Sequence, residues 1–338
     1  PLYETFNLGL ADNQTFLYPK PILPIFLPFG LFPLRTAAIL WLVLTQAAVL
    51  SSILMITRLW PDRRPSYLLP FLFGVFIFRS YLVTLTLGQL GGVFLLILAG
   101  VALLWNQSGW FWGGVLLSLT TLKPQLGFPL VALVSLWFLK KRIWLHFSGM
   151  AAGGALMLVT GWLIDPQWIG KFIEIGSNKV SQTFGYHPTL WGLGGYLCDR
   201  QAACTYFVGG LLAILFSALF LWVIFQRKFV ITPDLLLSAS ITFTLLITPY
   251  LWVYDQLLLI VPLAVLLGKM RQQGNPYLIT AIVSILIGLV SLALLPVAVS
   301  IRNDVWNVVI PLLVLALFFF SILKTVTIEP SSNGEENP

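Results

Sequence analysis

The chain has 338 residues, of which 58% are hydrophobic and 9% are charged, and its formal net charge is +7. This composition excludes an ordinary soluble domain and indicates an all-α protein that crosses a membrane several times. The positive charge does not indicate a nucleic-acid partner, because the basic residues form short clusters between apolar stretches, as membrane topology signals do.

Residues 1–33 are predicted to form an outer, extracytoplasmic loop. The chain starts with Pro1 rather than Met and shows no apolar signal segment in its first 20 residues, so we expect a removed leader or a fragment. Between Pro19 and Pro33 prolines recur too closely for a regular helix. This segment is therefore predicted to be a loop that dips toward the membrane surface.

Residues 34–324 are predicted to form the transmembrane domain, and residues 325–338 a disordered cytoplasmic tail. A bilayer core of about 30 Å requires about 20 residues per helix. Apolar stretches near this length recur and predict about eleven transmembrane helices. The predicted spans are residues 34–57, 66–82, 84–105, 109–122, 125–139, 144–164, 203–225, 232–250, 252–268, 277–297 and 305–323.

The positions of Lys and Arg predict the orientation of these spans. If residues 1–33 lie outside, every basic cluster falls on the cytoplasmic side, and the long connection 165–202 lies outside. The predicted cytoplasmic clusters are Arg58 with Arg63 and Arg64, Lys140 with Lys141 and Arg142, Arg227 with Lys228, Lys269 with Arg271, and Lys324.

Lys123 lies between two apolar stretches that are short for full crossings. A lysine at membrane depth costs roughly 2.5 to 3.5 kcal/mol, so it faces a cavity, finds a partner or serves a function. Pro124 disfavours helix at the preceding residue, which predicts a helix break at Lys123. The alternative is that Lys123 extends its side chain to a lipid headgroup from the end of a short helix.

The connection 165–202 contains an amphipathic stretch and a polar, aromatic stretch. Residues 166–175 alternate at helical spacing and predict a helix that lies in the membrane interface. Residues 177–192, which include His187 and Trp191, mix polar groups, aromatic rings and glycines. That mixture suits contact with carbohydrate and equally suits an ordinary loop.

Cys198 and Cys204 are the two cysteines of the chain. On the predicted topology both face the oxidising side, where a disulfide can form. Six residues apart on a continuous helix they would be too distant, so a disulfide requires a turn between them. Two free, buried thiols are the alternative.

Asp255 follows the span that ends near Thr248-Pro249 and lies among Tyr250, Trp252 and Tyr254. Such a group is typical either of an interfacial aromatic belt with a solvated carboxylate or of a polar site. Asp255, Lys123, Arg79 and Gln89 come from four separate hairpins but map to the same membrane face. This common placement favours a site.

Several short motifs, in this order, carry a resemblance to a known family. They are Tyr18-Pro19 with its following prolines, Leu87-Gly88-Gln89, Leu122-Lys123-Pro124-Gln125, and Thr248-Pro249-Tyr250 with Trp252 and Tyr254-Asp255. The chain resembles glycosyltransferase family 87 over most of its length, roughly residues 2–262. The resemblance implies a helical bundle of the GT-C type and an active site on the outer face of the plasma membrane. It also implies a sugar donor linked to polyprenyl phosphate and an acceptor that is a cell-envelope glycan or glycolipid.

The resemblance also implies a catalytic carboxylate that this chain does not show in a recognisable motif. Similar enzymes carry an acidic residue as general base in the first outer loop, soon after the first membrane helix. The first residues of this chain resemble the middle of that loop, so we expect the base to precede residue 1. Glu4 and Asp12 are the acidic residues that remain there as weaker candidates.

Sugar transfer from a lipid phosphate requires a base for the acceptor hydroxyl and cations for the departing phosphate. Arg79 and Lys123 fit the role of the cations, and Asp255 fits the orientation of a cation or of a sugar hydroxyl. The candidate substrate-binding residues are Gln89, Gln125, Tyr254, His187 and Trp191. No metal is expected, because the sequence has no His, Cys and Asp cluster at metal-ligand spacing, and no cofactor is expected besides the donor itself.

Two other classes of protein remain open from the sequence. A secondary transporter also has broken helices with polar residues near the membrane midplane, although it is expected to show an internal repeat, which this sequence does not. A non-catalytic protein that binds lipid or serves assembly would suit the lack of an evident base.

Overall fold

The computed structural model describes residues 18–61, 64–183, 185–226, 231–270 and 275–326. These residues form fifteen α-helices joined by short turns and 3-10 helices, with no β-strand among them. Glu4, Asp12 and nearly all of the predicted tail lie outside the described residues, as do Arg63, Arg227, Lys228 and Arg271.

The helices follow one another with few long connections. They are α1 Leu23–Phe26, α2 Leu34–Ile56, α3 Pro65–Phe76, α4 Arg79–Thr86, α5 Gly91–Asn106, α6 Trp110–Leu119, α7 Pro124–Lys141, α8 Trp144–Ile164, α9 Trp168–Thr183, α10 Leu190–Leu197, α11 Ala202–Phe225, α12 Pro233–Ile247, α13 Ile260–Met270, α14 Pro276–Ile301 and α15 Val309–Val326. The fold is all-α, as predicted.

The predicted number of about eleven full spans is not confirmed. Within the described residues, five helices are long and apolar enough to cross a membrane, or six if one bent pair is counted as a span. Several predicted spans are shorter apolar helices, because turns and kinks interrupt them. The five are Leu34–Leu59, Trp144–Ile164, Ala202–Phe225, Val253–Met270 and Pro276–Ile301.

The second predicted span, 66–82, is broken rather than continuous. Helices α3 and α4 meet at an angle of 61°, and the break makes Arg79 the first residue of α4. The next helix begins at Gly91 instead of residue 84, after a turn in which Gly88 adopts a φ of 60°. Glycine reaches this left-handed conformation without the steric cost of a side chain.

Two predicted loops contain helix. The proline-rich segment forms a series of helical turns, Lys20–Ile22, α1 and Leu27–Leu31, each of which has a proline among its first residues. Proline fits such positions, because the first amides of a helix have no partner within it. The segment predicted to be an interfacial helix is helical, as α9, and the helix continues to Thr183 through residues expected in a loop.

Helices α6 and α8 pack closely through glycines. A Cβ on Gly114 would lie 2.2 Å from the carbonyl oxygen of His146, and one on Gly149 would lie 2.0 Å from that of Phe111. A Cβ on Gly153 would lie 2.1 Å from Oγ of Ser118. Only a hydrogen fits at these three positions, and small residues are the usual means of close helix contact in membranes.

Contacts between distant residues define the two ends of the bundle. Lys140 lies 5.5 Å from the ring centroid of Phe225, and Lys269 pairs with Asp234 at 3.4 Å. These residues share the end that is predicted to be cytoplasmic. Residues at the opposite end, which we call the outer end after the predicted topology, include the ion pairs Lys20 with Asp165 and Arg79 with Asp304.

Candidate functional site

The helix break at Lys123 is present in the structure. A 3-10 turn over Thr120–Leu122 follows α6, Lys123 adopts φ −121° and ψ 84°, and α7 begins at Pro124. Thr121 Oγ1 lies 3.9 Å from the sulfur of Met157, which precedes the end of α8 at Ile164. Seven residues of helix span about 10 Å, so Thr121 lies about that far from the outer end of α8.

Lys123 forms a buried ion pair with Asp255. Nζ of Lys123 contacts Oδ1 of Asp255, and the two residues are 4% and 3% exposed. Nζ also lies 4.7 Å from the ring centroid of Tyr254. The second carboxylate oxygen of Asp255 accepts a hydrogen bond of 3.0 Å from the amide of Trp252. Lys123 is therefore a neutralised cation with a structural partner.

His187 lies beside this ion pair, in the connection between α9 and α10. Its ring is fully buried and lies 4.7 Å from the ring centroid of Tyr250 and 4.8 Å from that of Trp252. Burial lowers the pKa of His187 to about 4, and the nearby charge of Lys123 lowers this pKa as well. His187 is accordingly neutral at physiological pH.

Tyr18 links two further motifs to the same region. Its hydroxyl donates a hydrogen bond of 3.0 Å to Oε1 of Gln89. Burial raises the pKa of Tyr18, and the negative charge of Asp255 adds to the effect. Oγ1 of Thr84, on the helix that Arg79 begins, lies 3.4 Å from the carbonyl oxygen of Tyr254. The structure thus places Gln89 and Tyr254 near the ion pair.

Gln125 and Trp191 join neighbouring helices at this end. The hydroxyl of Thr248 donates to the carbonyl oxygen of Gln125 at 3.0 Å. The indole nitrogen of Trp191 donates to the carbonyl oxygen of Ile247 at 2.7 Å, and its ring lies against Gly209 of α11. These contacts fix the end of α12.

A cavity of about 570 Å³ opens at the outer end beside Arg79. Side chains of six polar or aromatic residues line it, namely Arg79, Tyr186, Trp252, Arg302, Asn303 and Asp304. Nη2 of Arg79 donates to Oδ1 of Asp304 at 2.8 Å. Nε and Nη1 of Arg79 have no hydrogen-bond partner among the described residues, although Arg79 is only 8% exposed. Buried donors of this kind are costly unless a ligand or water satisfies them.

The structure divides the predicted catalytic residues between two places. Arg79 lines the cavity, whereas Lys123 and Asp255 are absent from its lining and lie buried beneath it. Trp252 connects the two, because its amide bonds to Asp255 and its side chain lines the cavity.

Sequence reasoning missed the contribution of residues 302–304 and did not single out Tyr186 within the stretch 177–192. Arg302, Asn303 and Asp304 form a polar turn after α14, before the 3-10 turn that leads into α15. Three consecutive polar residues between predicted spans 277–297 and 305–323 were the available signal. Nothing in the sequence indicated that this turn meets Arg79, which lies 225 residues before Asp304.

Cys198 and Cys204 form a disulfide, with their Cα atoms 5.7 Å apart. Helix α10 ends at Leu197 and α11 begins at Ala202, so the turn that the disulfide requires lies between them. His, Cys, Asp and Glu form no group of three or more that could hold a metal ion within the described part of the chain.

These features define an apolar helical bundle with a cationic cavity at one end, a multi-pass membrane protein. A family model, glycosyltransferase family 87, matches residues 16–249. The chain belongs to this family and is therefore a membrane glycosyltransferase. Searches of curated proteins and of solved structures found no match. The matched region contains Arg79, Lys123 and His187 and ends before Asp255 and Asp304.

Proposed function

We propose that this protein transfers a hexose or pentose, such as mannose, from a polyprenyl-phosphate donor to an acceptor in the cell envelope. The acceptor is a glycan or glycolipid on the outer face of the plasma membrane, and the bundle is of the GT-C type. The guanidinium group of Arg79 carries the proposal, because Arg79 lines the cavity and two of its buried nitrogens have no partner among the residues that the structure describes.

The proposed reaction builds negative charge on the donor phosphate. The acceptor hydroxyl attacks the anomeric carbon, the bond from that carbon to the phosphate oxygen breaks, and the hydroxyl proton passes to a base. The guanidinium group of Arg79, which lines the cavity, supplies positive charge and hydrogen-bond donors for the phosphate that leaves. The donor carries its own leaving group, so the proposal involves no cofactor. Glu4 and Asp12 remain the weak candidates for the base within this chain.

Lys123 and Asp255 take a positioning role in this proposal. Asp255 accepts a hydrogen bond from the backbone of Trp252 at the cavity wall, and Lys123 pairs with Asp255 inside the bundle. A direct contact of Lys123 with the donor phosphate would require this buried pair to separate. Gln89 and Tyr254 support the same region from beneath, and His187 packs against the ring of Trp252.

Family membership favours the enzyme over the other two classes considered. A secondary transporter would need a substrate path between two membrane faces, whereas the described cavity lies at the outer end beside Arg79. A protein that only binds lipid would lack the transferase activity for which the family is named.

Transfer by purified protein in lipid vesicles tests the proposal. The vesicles contain radiolabelled mannose or arabinose linked to polyprenyl phosphate, and product is measured in an envelope glycolipid fraction. Arg79→Gln should reduce transfer by about 10² to 10³, the usual effect of removing a donor aimed at developing charge. Arg79→Lys should retain part of the activity, because it keeps the positive charge but not the planar, bidentate geometry of the guanidinium group.

Arg35→Gln is the matched control, because Arg35 is exposed on α2 away from the cavity. This variant should transfer sugar at the wild-type rate. Wild-type turnover by Arg79→Gln would overturn the role of Arg79. Transfer from nucleotide sugars alone would overturn the proposed donor class.

A further inference from the structure

Arg200 contacts Tyr186 in two ways at the rim of the cavity. Nη1 of Arg200 donates a hydrogen bond of 2.8 Å to the hydroxyl of Tyr186. The carbon of the same guanidinium group lies 4.1 Å from the ring centroid. Such a cation over an aromatic face is held by the ring quadrupole as well as by the hydrogen bond. Tyr186 lines the cavity, so this contact fixes part of the cavity wall.

The backbone around the disulfide places Arg200 at this point. Asp199 and Arg200 both adopt left-handed φ angles, 47° and 63°, in the turn that Cys198 and Cys204 close. Residues other than glycine seldom adopt this conformation. The amide of Arg200 donates to the carbonyl oxygen of Gly195 at 2.8 Å. The disulfide restrains the chain on both sides of this unfavourable conformation.

Gly185, the residue before Tyr186, lies directly on α10. A Cβ on Gly195 would be 2.4 Å from Cα of Gly185, and Gly185 has a φ of 95°. Only glycines permit this approach. The close contact brings Tyr186 within reach of Arg200, which follows α10 in the sequence.

We infer that Arg200 is a positioning residue that holds Tyr186 as a wall of the cavity, and that the Cys198–Cys204 disulfide holds Arg200 in place for this purpose. The inference rests on the proposed function insofar as the cavity receives the donor. Tyr186 would then present its ring beside the phosphate bound at Arg79, where aromatic faces suit the apolar face of a sugar. Arg200 acts through Tyr186 and does not touch the donor.

Chemical labelling of an engineered cysteine tests the inference without any substrate. Both native cysteines are in the disulfide, so Ala298→Cys introduces a single free thiol. Ala298 lines the cavity and is 8% exposed, so a maleimide should label the introduced thiol slowly. Adding Arg200→Gln should raise the labelling rate about tenfold, as the loss of a cation–π contact with its hydrogen bond predicts.

Three further variants separate positioning from general damage. Arg200→Lys should restore most of the protection, because an ammonium group can still lie over the ring. Tyr186→Ala, which leaves Arg200 and the disulfide intact, should raise the rate as much as Arg200→Gln does. Replacing both cysteines, Cys198→Ser with Cys204→Ser, should have the same effect, and the engineered thiol is then again the only one in the chain.

Val299→Cys is the control reporter, because Val299 also borders the cavity but is 68% exposed. Its labelling should be equal in all backgrounds, and a general increase there would indicate unfolding and contradict the inference. Equal labelling of the Ala298→Cys reporter with and without Arg200→Gln would also overturn it.

A measurement of transfer extends the test to the donor. Arg200→Gln should raise KM for the donor more than it lowers kcat, because Arg200 acts on the cavity wall and not on the reacting atoms. Faster labelling with an unchanged KM would overturn the contact of Tyr186 with the donor. If the wild-type protein transfers no sugar from polyprenyl-phosphate donors, the proposed function is overturned. The labelling experiment still decides the role of Arg200, because it needs no substrate.

Discussion

Lys123 and Asp255 are 132 residues apart in the chain and form an ion pair with both side chains almost fully buried. Lys123 belongs to the break between α6 and α7, and Asp255 to the 3-10 turn Val253–Leu259. Two irregular pieces of backbone inside an apolar bundle are thus joined by their charges. The ion pair links these two segments and gives the ammonium group of Lys123 a carboxylate partner.

We predict that Lys123→Ala destabilises the protein. Removal of one partner of a buried pair leaves the other charge unpaired, at a cost of about 3 to 5 kcal/mol. Thermal unfolding in detergent should show a lower melting temperature and reduced yield. The double variant Lys123→Met with Asp255→Asn should recover much of the loss, because the new amide is neutral and can still accept the hydrogen bond from the backbone of Trp252. A single variant as stable as wild type would contradict the structural role of the pair.

Asp304→Asn should increase the affinity of the cavity for anions. The amide oxygen of the new side chain can still accept the hydrogen bond from Arg79, but the charge that opposes an anion is gone. Two unit charges about 4 Å apart interact by about 1 kcal/mol in a well-solvated site, which corresponds to roughly fivefold in affinity. Calorimetric titration with farnesyl phosphate measures this change, and uncharged farnesol is the control ligand. Equal affinity in both proteins would show that Asp304 does not oppose the ligand.

The buried His187 predicts a loss of stability in weak acid. Burial lowers its pKa from 6.5 to about 4, so between these values the unfolded chain binds a proton that the folded protein excludes. The stabilising contribution is therefore complete above pH 6.5 and falls as the pH drops toward 4, by about 3 kcal/mol in total. Melting temperatures measured from pH 7.5 to 4.5 should fall less steeply for His187→Gln. If the melting temperatures of the two proteins fall equally with pH, His187 is not the source of the loss of stability.

The predicted topology can be tested at two exposed positions. Gly170 on α9 has open space where a Cβ would lie, and Lys141 ends α7 at the opposite end of the bundle. In intact cells an impermeant thiol reagent should label Gly170→Cys and should reach Lys141→Cys only after permeabilisation. Labelling of Lys141→Cys alone would invert the orientation of the whole bundle.

Some features of the site follow from the sequence because their causes are local. The break at Lys123 depends on Pro124, and the turn between Cys198 and Cys204 depends on the residues between them. Hydropathy similarly predicts the all-α class. The number of full spans does not follow, because hydropathy averages over turns such as the one between α3 and α4. A short apolar helix and a spanning helix have the same composition.

Long-range partners could not be predicted from one sequence. The pairing of Arg79 with Asp304 depends on how α4 and α14 meet, and no pattern near either residue records that contact. The sequence predicts that Lys123 and Asp255 lie at the same membrane face, and so it predicts part of their pairing. It does not predict their mutual neutralisation, because a buried charge predicts the need for a partner without identifying it.

The glycine contacts between α6 and α8 couple this pair of helices to the site. Ser118, whose Oγ occupies the space beside Gly153, lies little more than one helical turn before Lys123. An alanine at Gly153 would push α6 outward, and α6 leads without interruption into the turn that ends at Lys123. Inherited or selected mutations that inactivate the enzyme should therefore accumulate along this distant helix contact as well as around the cavity.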